Sequence, residues 1–331
     1  MKKQFLIIVI ILVSIQAFGG IYRHDVSARK YKELAMQKQF DCVGQVMDSW
    51  FQSAKGSCVL IGNKYVLSAA HCFINTETRV DTLYLDQNGK STTKLEKGGA
   101  TMWVNQPVHE SPARIEDYSF RFNGRKYIGK TMKIYHSYLD SLNQGTTDFS
   151  GDLVLIELTD TVEGVIPAML NTHFDERNVV ITGVGYGASG PADNAGDVGP
   201  FGEKIAGQNV VDEIAGFEVN GRPSLLAFDF DHPTRKDRNR MGSAKPLPLE
   251  WGPGGGDSGG GLFRQVNNKW ELVGIITGGP RSGLDMAHYM KTKGFYGGIS
   301  ENARVSVFSE WIKETIEEFG QQETKIEIKL N

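Results

Sequence analysis

Ser57-Cys58-Val59-Leu60-Ile61-Gly62-Asn63-Lys64-Tyr65-Val66-Leu67-Ser68-Ala69-Ala70-His71-Cys72 is the stretch on which the fold turns. Val59-Leu60-Ile61 and Lys64-Tyr65-Val66-Leu67-Ser68 are short runs of strand-forming residues, and Gly62-Asn63 between them is a strong hairpin turn. The second run leads into Ala69-Ala70, whose small side chains permit close packing. His71 therefore falls at the end of a strand. Cys58 and Cys72 bracket the whole segment.

The same texture continues outward. Strands are expected at 82–85, Arg125–Ile134, 153–158, 178–184, 225–230, 261–264, 270–277 and 304–308. Many short strands separated by Gly, Asn, Asp and Pro read as a barrel or sandwich, not as an α/β sheet. Residues 21–39 are polar with a short helical pattern around Tyr31-Lys32-Glu33-Leu34-Ala35. One helix is clear and it is last: Ser309 can cap it, and Trp311, Ile312, Ile316 and Phe319 recur at helical spacing before Gly320. Residues 86–124 and 231–256 read as long loops.

Composition bounds the function classes. The 331 residues carry 36 Lys and Arg against 39 Asp and Glu, so no basic excess points to nucleic acid and no acidic block to a solvating tail. At the N-terminus Lys2 and Lys3 precede an apolar run over 5–18 and then Gly19-Gly20, the layout of a leader peptide over 1–20. The apolar run is short of the roughly 20 residues that a spanning helix needs. A secreted or periplasmic protein without stable membrane insertion after leader removal is expected. Export implies oxidising surroundings, so Cys58 and Cys72 are expected to pair. A bridge closing a loop of that length contributes on the order of 3 kcal/mol. Cys42 lies among Phe40, Val43 and Val46 and reads as a small buried apolar residue, with an intermolecular bridge as the alternative.

Three residues have the context for nucleophilic chemistry. Ser258 sits in Gly256-Asp257-Ser258-Gly259-Gly260, a tight loop just before the apolar run Gly261-Leu262-Phe263. A hydroxyl is a poor nucleophile unless an adjacent base removes its proton. His71, fixed at a strand end, is a candidate base. Asp152 stands at the mouth of the strongly apolar strand Leu153-Val154-Leu155-Ile156-Glu157-Leu158, where a partly buried carboxylate can orient an imidazole. The N–H groups of Gly256 and Ser258 are candidates for an oxyanion hole, worth roughly 3 kcal/mol per donor.

These motifs resemble the chymotrypsin/trypsin family of serine peptidases. The matches are Leu67-Ser68-Ala69-Ala70-His71-Cys72, Asp152-Leu153-Val154-Leu155-Ile156 and Gly256-Asp257-Ser258-Gly259-Gly260, in the family's order of histidine, aspartate, serine. Weaker matches are Gly183-Val184-Gly185-Tyr186-Gly187, Val273-Gly274-Ile275-Ile276-Thr277-Gly278 and the closing helix. The resemblance spans about residues 40–320, with spacings longer than usual that the loops 86–124 and 231–256 would absorb. It implies an all-β fold of two antiparallel six-stranded barrels, over 21–165 and 166–320, with a C-terminal helix and a polar tail at 321–331. It also implies Ser258 as nucleophile, His71 as base and then acid, and Asp152 as the residue orienting His71. The implied activity is peptide hydrolysis through an acyl-enzyme, on a protein or peptide substrate and without metal or organic cofactor.

The chain departs from the family at two places. The position that floors the primary specificity pocket falls on Gly252, with Thr277, Gly278 and Gly279 along the wall, so a preference for Arg or Lys is not implied. The family's usual Ile-Val-Gly-Gly activation segment is absent. Ile21 does follow Gly19-Gly20, so leader removal with Gly20 trimmed would free Ile21 to pair with Asp257; alternatively Asp257 finds its partner inside the chain. Gly185-Tyr186-Gly187-Ala188-Ser189-Gly190 fits a dinucleotide-binding pattern by letter, but Pro191 follows where a helix should begin, so a glycine turn is the better account. His24, His109, His136, His173, His232 and His288 show no metal-ligand spacing. Arg235-Lys236-Asp237-Arg238-Asn239-Arg240 reads as a solvated loop able to steer acidic substrates. Two other functions stay open on the same residues: a non-catalytic binding module that keeps the barrels, and a serine esterase or acyltransferase.

Overall fold

The computed structural model describes residues 20–86, 91–95, 97, 100–143, 149–193, 199, 201–278 and 296–330. The leader expected at 1–20 lies almost wholly outside them. The chain enters through a two-residue strand, β1 (Ile21–Tyr22), and helix α1 (Ala28–Ala35), whose buried face is Tyr31 and Ala35. Next come β2 (Val43–Asp48), β3 (Ala54–Leu60) and β4 (Tyr65–Ser68). The hairpin at Gly62-Asn63 forms as expected, with Val59 opposite Leu67 and Leu60 opposite Val66. A 3-10 turn at Ala70–Phe73 follows.

The chain then leaves this body. Strands β5 (Ile74–Leu85), β6 (Ser91–Thr92) and β7 (Ala100–Pro112) make a three-stranded sheet of their own, within a separate compact unit at Ile74–Ala113. Much of the loop expected at 86–124 is thus one arm of a long ribbon. Returning, β8 (Tyr118–Phe122), β9 (Arg125–Ile134), helix α2 (His136–Asn143) and β10 (Val154–Leu158) complete the first half. The order β10-β4-β3-β2-β8-β9 closes a six-stranded barrel. Its interior is apolar, with Val46, Val59, Leu67, Phe120 and Leu155 fully buried. Residues of that size each contribute about 1.5–3 kcal/mol when removed from water.

The second half is built from β11 (Met169–Leu170), β12 (Val180–Gly185), β13 (Gly190–Pro191), β14 (Ile205–Val210), β15 (Glu213–Val219), β16 (Arg222–Asp229), β17 (Trp251–Gly252), β18 (Gly261–Val266), β19 (Lys269–Ile275) and β20 (Ile299–Arg304). The main sheet runs β14-β12-β18-β19-β20-β16-β15, with β11 added beside β19. Among the described residues this sheet is open, so a second closed barrel is not shown. The outer edge of β14 is already taken: Gln208 N–H donates to the Leu249 carbonyl at 2.7 Å, and Gln208 bridges to Glu250. The gap toward β16 is spanned by the Asn209 amide, which donates to the carbonyls of Asp229 at 2.8 Å and Trp251 at 2.9 Å. One inserted chain segment and one side chain thus stand where a strand ladder would be. Trp251 drives that segment into the core beside Ile181, Phe228 and Leu262. Gly183 and Gly207 permit it, since a Cβ on either would lie within about 2.2 Å of the indole side chain.

The last helix, α3 (Val305–Leu330), starts earlier than expected and ends later. Residues 305–308 belong to it instead of a strand, and Ser309 donates back to the Ser306 carbonyl from inside the helix instead of capping it. The polar tail expected at 321–331 continues this helix to Leu330. No helix among the described residues is long and apolar enough to cross a membrane. Both halves belong to one compact unit, Ala17–Phe73 with Arg114–Asn331.

The junction of β20 and α3 is tied down by a buried ion pair. Arg304 donates to Glu176 Oε2 at 3.1 and 2.7 Å and to the Pro223 carbonyl at 3.1 Å, while Ser306 and Asn171 donate to Glu176 Oε1. Glu176 is fully buried. Removing the cation alone strands a carboxylate in the core, which typically costs about 3–5 kcal/mol. Arg304→Ala should therefore lower the urea midpoint sharply, and the double change Arg304→Met, Glu176→Leu should recover much of the loss.

Candidate active site

Strand register brings His71 and Asp152 together. Ser68 lies opposite Val154 in the antiparallel β4–β10 pair, so the residues just past β4 meet those just before β10 at one rim of the barrel. Asp152 is fully buried there. Its Oδ1 accepts the His71 backbone N–H at 2.8 Å, and its Oδ2 lies 2.6 Å from the ring Nδ1. One carboxylate thus fixes both the main chain and the ring of the histidine.

The serine arrives from the other half. Its loop is held by Gly260 N–H to the Asp257 carbonyl at 2.7 Å, Gly259 N–H to the Ile276 carbonyl at 2.7 Å and Ile276 N–H to the Gly260 carbonyl at 2.8 Å. Ser57, buried in β3, docks this loop onto the barrel. Its N–H donates to the Ser258 carbonyl at 2.7 Å and its hydroxyl to the Gly256 carbonyl at 2.9 Å, while Tyr186 N–H donates to that hydroxyl at 2.9 Å. Ser258 Oγ then sits 2.8 Å from His71 Nε2. Gly259 must lack a side chain, because a Cβ would fall 2.0 Å from the Ser57 carbonyl oxygen and its φ is +86°. Sequence reasoning singled out Ser258, His71 and Asp152 but not Ser57. A signal was there, a hydroxyl residue preceding Cys58-Val59-Leu60 in a strand, but by itself it does not say what the hydroxyl meets.

The pair Asp152–His71 has an electrostatic consequence. Burial disfavours the imidazolium, yet the facing carboxylate, with Cys72 beside the ring, outweighs it and holds the His71 pKa well above the usual histidine value. In the neutral ring, Nδ1–H donates to Asp152 and Nε2 is the acceptor facing Ser258. The folded pKa exceeds the unfolded value of about 6.5, so the charged pair contributes stability that is complete below that pH and lost as pH rises through the folded pKa.

The remaining expected residues fall as follows. Gly256 has φ +89°, and neither its N–H nor that of Ser258 donates to an acceptor among the described residues. Gly252 pairs with Ile21 in the β1–β17 ladder and borders a hollow of about 20 Å³, shared with Ile21, Phe228, Phe230, Pro253 and Ser300. Thr277 N–H is held by Asn302 at 3.3 Å, and the Gly278 carbonyl accepts from the Ser300 hydroxyl at 2.6 Å. Gly279 lies outside the described residues. Asp257 is fully buried and accepts the N–H groups of Gly187 at 2.9 Å and Gly254 at 3.1 Å; burial pushes its pKa up to about 7. With residues 1–20 still attached to Ile21, these two N–H groups are the partners of Asp257. Cys42, Cys58 and Cys72 are free thiols, so the bridge expected between Cys58 and Cys72 is not formed in this structure. Cys72 Sγ lies instead 3.9 Å from the Ser258 carbonyl. Among the described residues no group of three His, Cys, Asp or Glu is placed to hold a metal.

No protein-family model matches the chain, and no curated protein matches it either. The site is therefore read from its own geometry.

The His71 ring protons, followed by NMR, should titrate with a midpoint above 6.5. Asp152→Asn should bring that midpoint down. An unshifted midpoint in the variant would contradict the carboxylate's control of the ring.

Proposed function

We propose that the chain is a serine endopeptidase of the chymotrypsin/trypsin type, acting through an acyl-enzyme. The observation that carries this is the continuous relay from Asp152 Oδ2 through the His71 ring to Ser258 Oγ, at 2.6 and 2.8 Å. Those distances are within the reach that proton transfer needs.

The chemistry follows from the groups present. Neutral His71 takes the Ser258 proton at Nε2 as Oγ attacks the substrate carbonyl carbon, and Asp152 stabilises the imidazolium that results. The carbonyl oxygen becomes an oxyanion, for which the N–H groups of Gly256 and Ser258 are the donors. His71 then gives its proton to the departing amine as the carbon–nitrogen bond breaks, leaving an ester on Ser258. Water, deprotonated by the same nitrogen, hydrolyses that ester and restores the hydroxyl. Every step uses side chains and backbone of this chain.

The expected leader would place the enzyme outside the cytoplasm, where protein and peptide substrates meet it. The hollow at Gly252 holds about one water molecule and has no carboxylate among its lining residues. We infer that it accepts a small uncharged side chain on the acyl side of the cleaved bond. Against matched peptides, an Ala substrate should exceed an Arg substrate in kcat/KM by on the order of tenfold or more. A preference for Arg would overturn this assignment of the pocket while leaving the catalytic set untouched.

A fluorophosphonate probe tests the catalytic reading directly. It should label the mature protein, and Ser258→Ala should abolish both labelling and peptide turnover; His71→Ala should lower turnover by about 10⁴-fold. Absence of labelling would favour a binding module, and turnover of esters but never of peptides would favour an esterase or acyltransferase.

A further inference from the structure

The run Gly254-Gly255-Gly256 carries one of the two oxyanion donors proposed above, the Gly256 N–H. Three consecutive residues without a Cβ leave the backbone free to rotate. A donor on such a run serves a developing oxyanion only if its peptide planes are fixed beforehand.

Two groups from distant parts of the chain close on Gly256. One is the Ser57 hydroxyl of β3, which is fully buried. The Tyr186 N–H can only donate, so the Ser57 oxygen is its acceptor at 2.9 Å. The Ser57 proton is then committed to the Gly256 carbonyl, also at 2.9 Å. The other group is Phe201, whose ring lies so close that a Cβ on Gly256 would fall 2.6 Å from it. Phe201 is itself backed by a fixed neighbour: Gly202 N–H donates to the Tyr186 carbonyl at 3.0 Å, and the Gln45 amide of β2 donates to the Gly202 carbonyl at 3.2 Å.

The peptide between Gly256 and Asp257 is thereby held at both ends. Its carbonyl is held by Ser57 Oγ, and its N–H donates to the Gly254 carbonyl at 3.1 Å. The next peptide carries the Ser258 N–H and is held through the Asp257 carbonyl, which accepts from Gly260 N–H at 2.7 Å. The Gly254 and Gly260 bonds are internal to the loop and turn with it. The Ser57 bond refers the loop to the barrel that carries His71.

We propose that Ser57 is a positioning residue of the oxyanion hole: its hydroxyl, braced by the Tyr186 N–H, orients the Gly256–Asp257 peptide so that the N–H groups of Gly256 and Ser258 converge on one point. This role rests on the acyl-enzyme reading and deepens it. It is separable from the seating of the nucleophile. The Ser57 main chain does that, through its N–H to the Ser258 carbonyl at 2.7 Å, a bond that any residue but proline can make. The hydroxyl bonds need the serine side chain. Without them the Gly256 carbonyl and the Tyr186 N–H lose their partner, and the glycine run is free to turn its donor away.

A peptidyl trifluoromethyl ketone with Ala at the reacting position tests this on the full chain. Ser258 Oγ adds to the ketone carbon, His71 takes the hydroxyl proton, and the ketone oxygen becomes a hemiketal oxyanion facing the two N–H groups. The pH at which that oxygen ionises, followed by fluorine NMR, reports how well the donors are placed. In Ser57→Ala it should rise by about one pH unit or more, and kcat on the matched Ala peptide should fall by about tenfold or more with KM unchanged. The titration midpoint of His71 in the free variant should stay at the wild-type value, because Asp152 still faces the ring. Ser57→Cys puts a weaker donor in the same place and should give an intermediate hemiketal value, a readout that remains if Ser57→Ala does not fold. Unchanged hemiketal ionisation and kcat would overturn the role of the hydroxyl while leaving the nucleophile in place. So would a shifted His71 midpoint, which would make Ser57 a seat for the nucleophile and nothing more. Absence of an adduct in the wild type would instead overturn the acyl-enzyme reading, and this role with it.

Discussion

Ser57 is the constraint on which the site depends. Its main chain and its hydroxyl grip the backbone on either side of Asp257, so the loop bearing Ser258 is seated against β3 of the barrel. The barrel carries His71 and Asp152 at the rim where β4 and β10 end. Without the seating bonds each half would keep its own geometry, yet nothing would hold Ser258 Oγ within reach of His71 Nε2. The bonds are buried, so leaving one unmade costs the desolvation of a polar group, about 1–3 kcal/mol, and the docked arrangement is correspondingly well defined.

The segment between β16 and β18 shows how burial and charge shape this fold together. It fills the edge of β14, so the sheet stays open, and it is anchored largely by carboxylates that accept backbone N–H groups. Burial pushes Glu250 up to about 8 and Asp231 up to about 6, and raises Asp229. A carboxylate whose folded pKa is raised holds a proton that the unfolded chain has released, so its contribution to stability falls as pH climbs through that window. This segment leads through Trp251-Gly252 to the Ser258 loop.

Much of the first barrel was legible in the text, because its strands alternate or run apolar between strong turn residues. Arg125–Ile134 and the Gly62-Asn63 hairpin fall where those patterns put them. Of the ribbon within 74–113 only the end of β5, expected as a strand at 82–85, was legible; the rest is largely polar and its strands pair only with each other, so no apolar period marks it. The start of α3 was misplaced for the opposite reason. Val305, Val307 and Phe308 are buried, and a short apolar run reads equally well as strand or helix. The open second sheet turned on Asn209 and Trp251, whose partners lie tens of residues away.

The sequence by itself determined the chemistry available: a serine in a glycine loop, a histidine past a strand end and an aspartate before an apolar strand. These are local matters of residue type and spacing. Tertiary structure alone decided that Ser258 comes within hydrogen-bond reach of His71, that Asp152 reaches the same ring, and that Ser57 seats the serine loop on the barrel. Each of those depends on distances between residues far apart along the chain, which are set by strand register and by how buried side chains pack, and no local pattern encodes them.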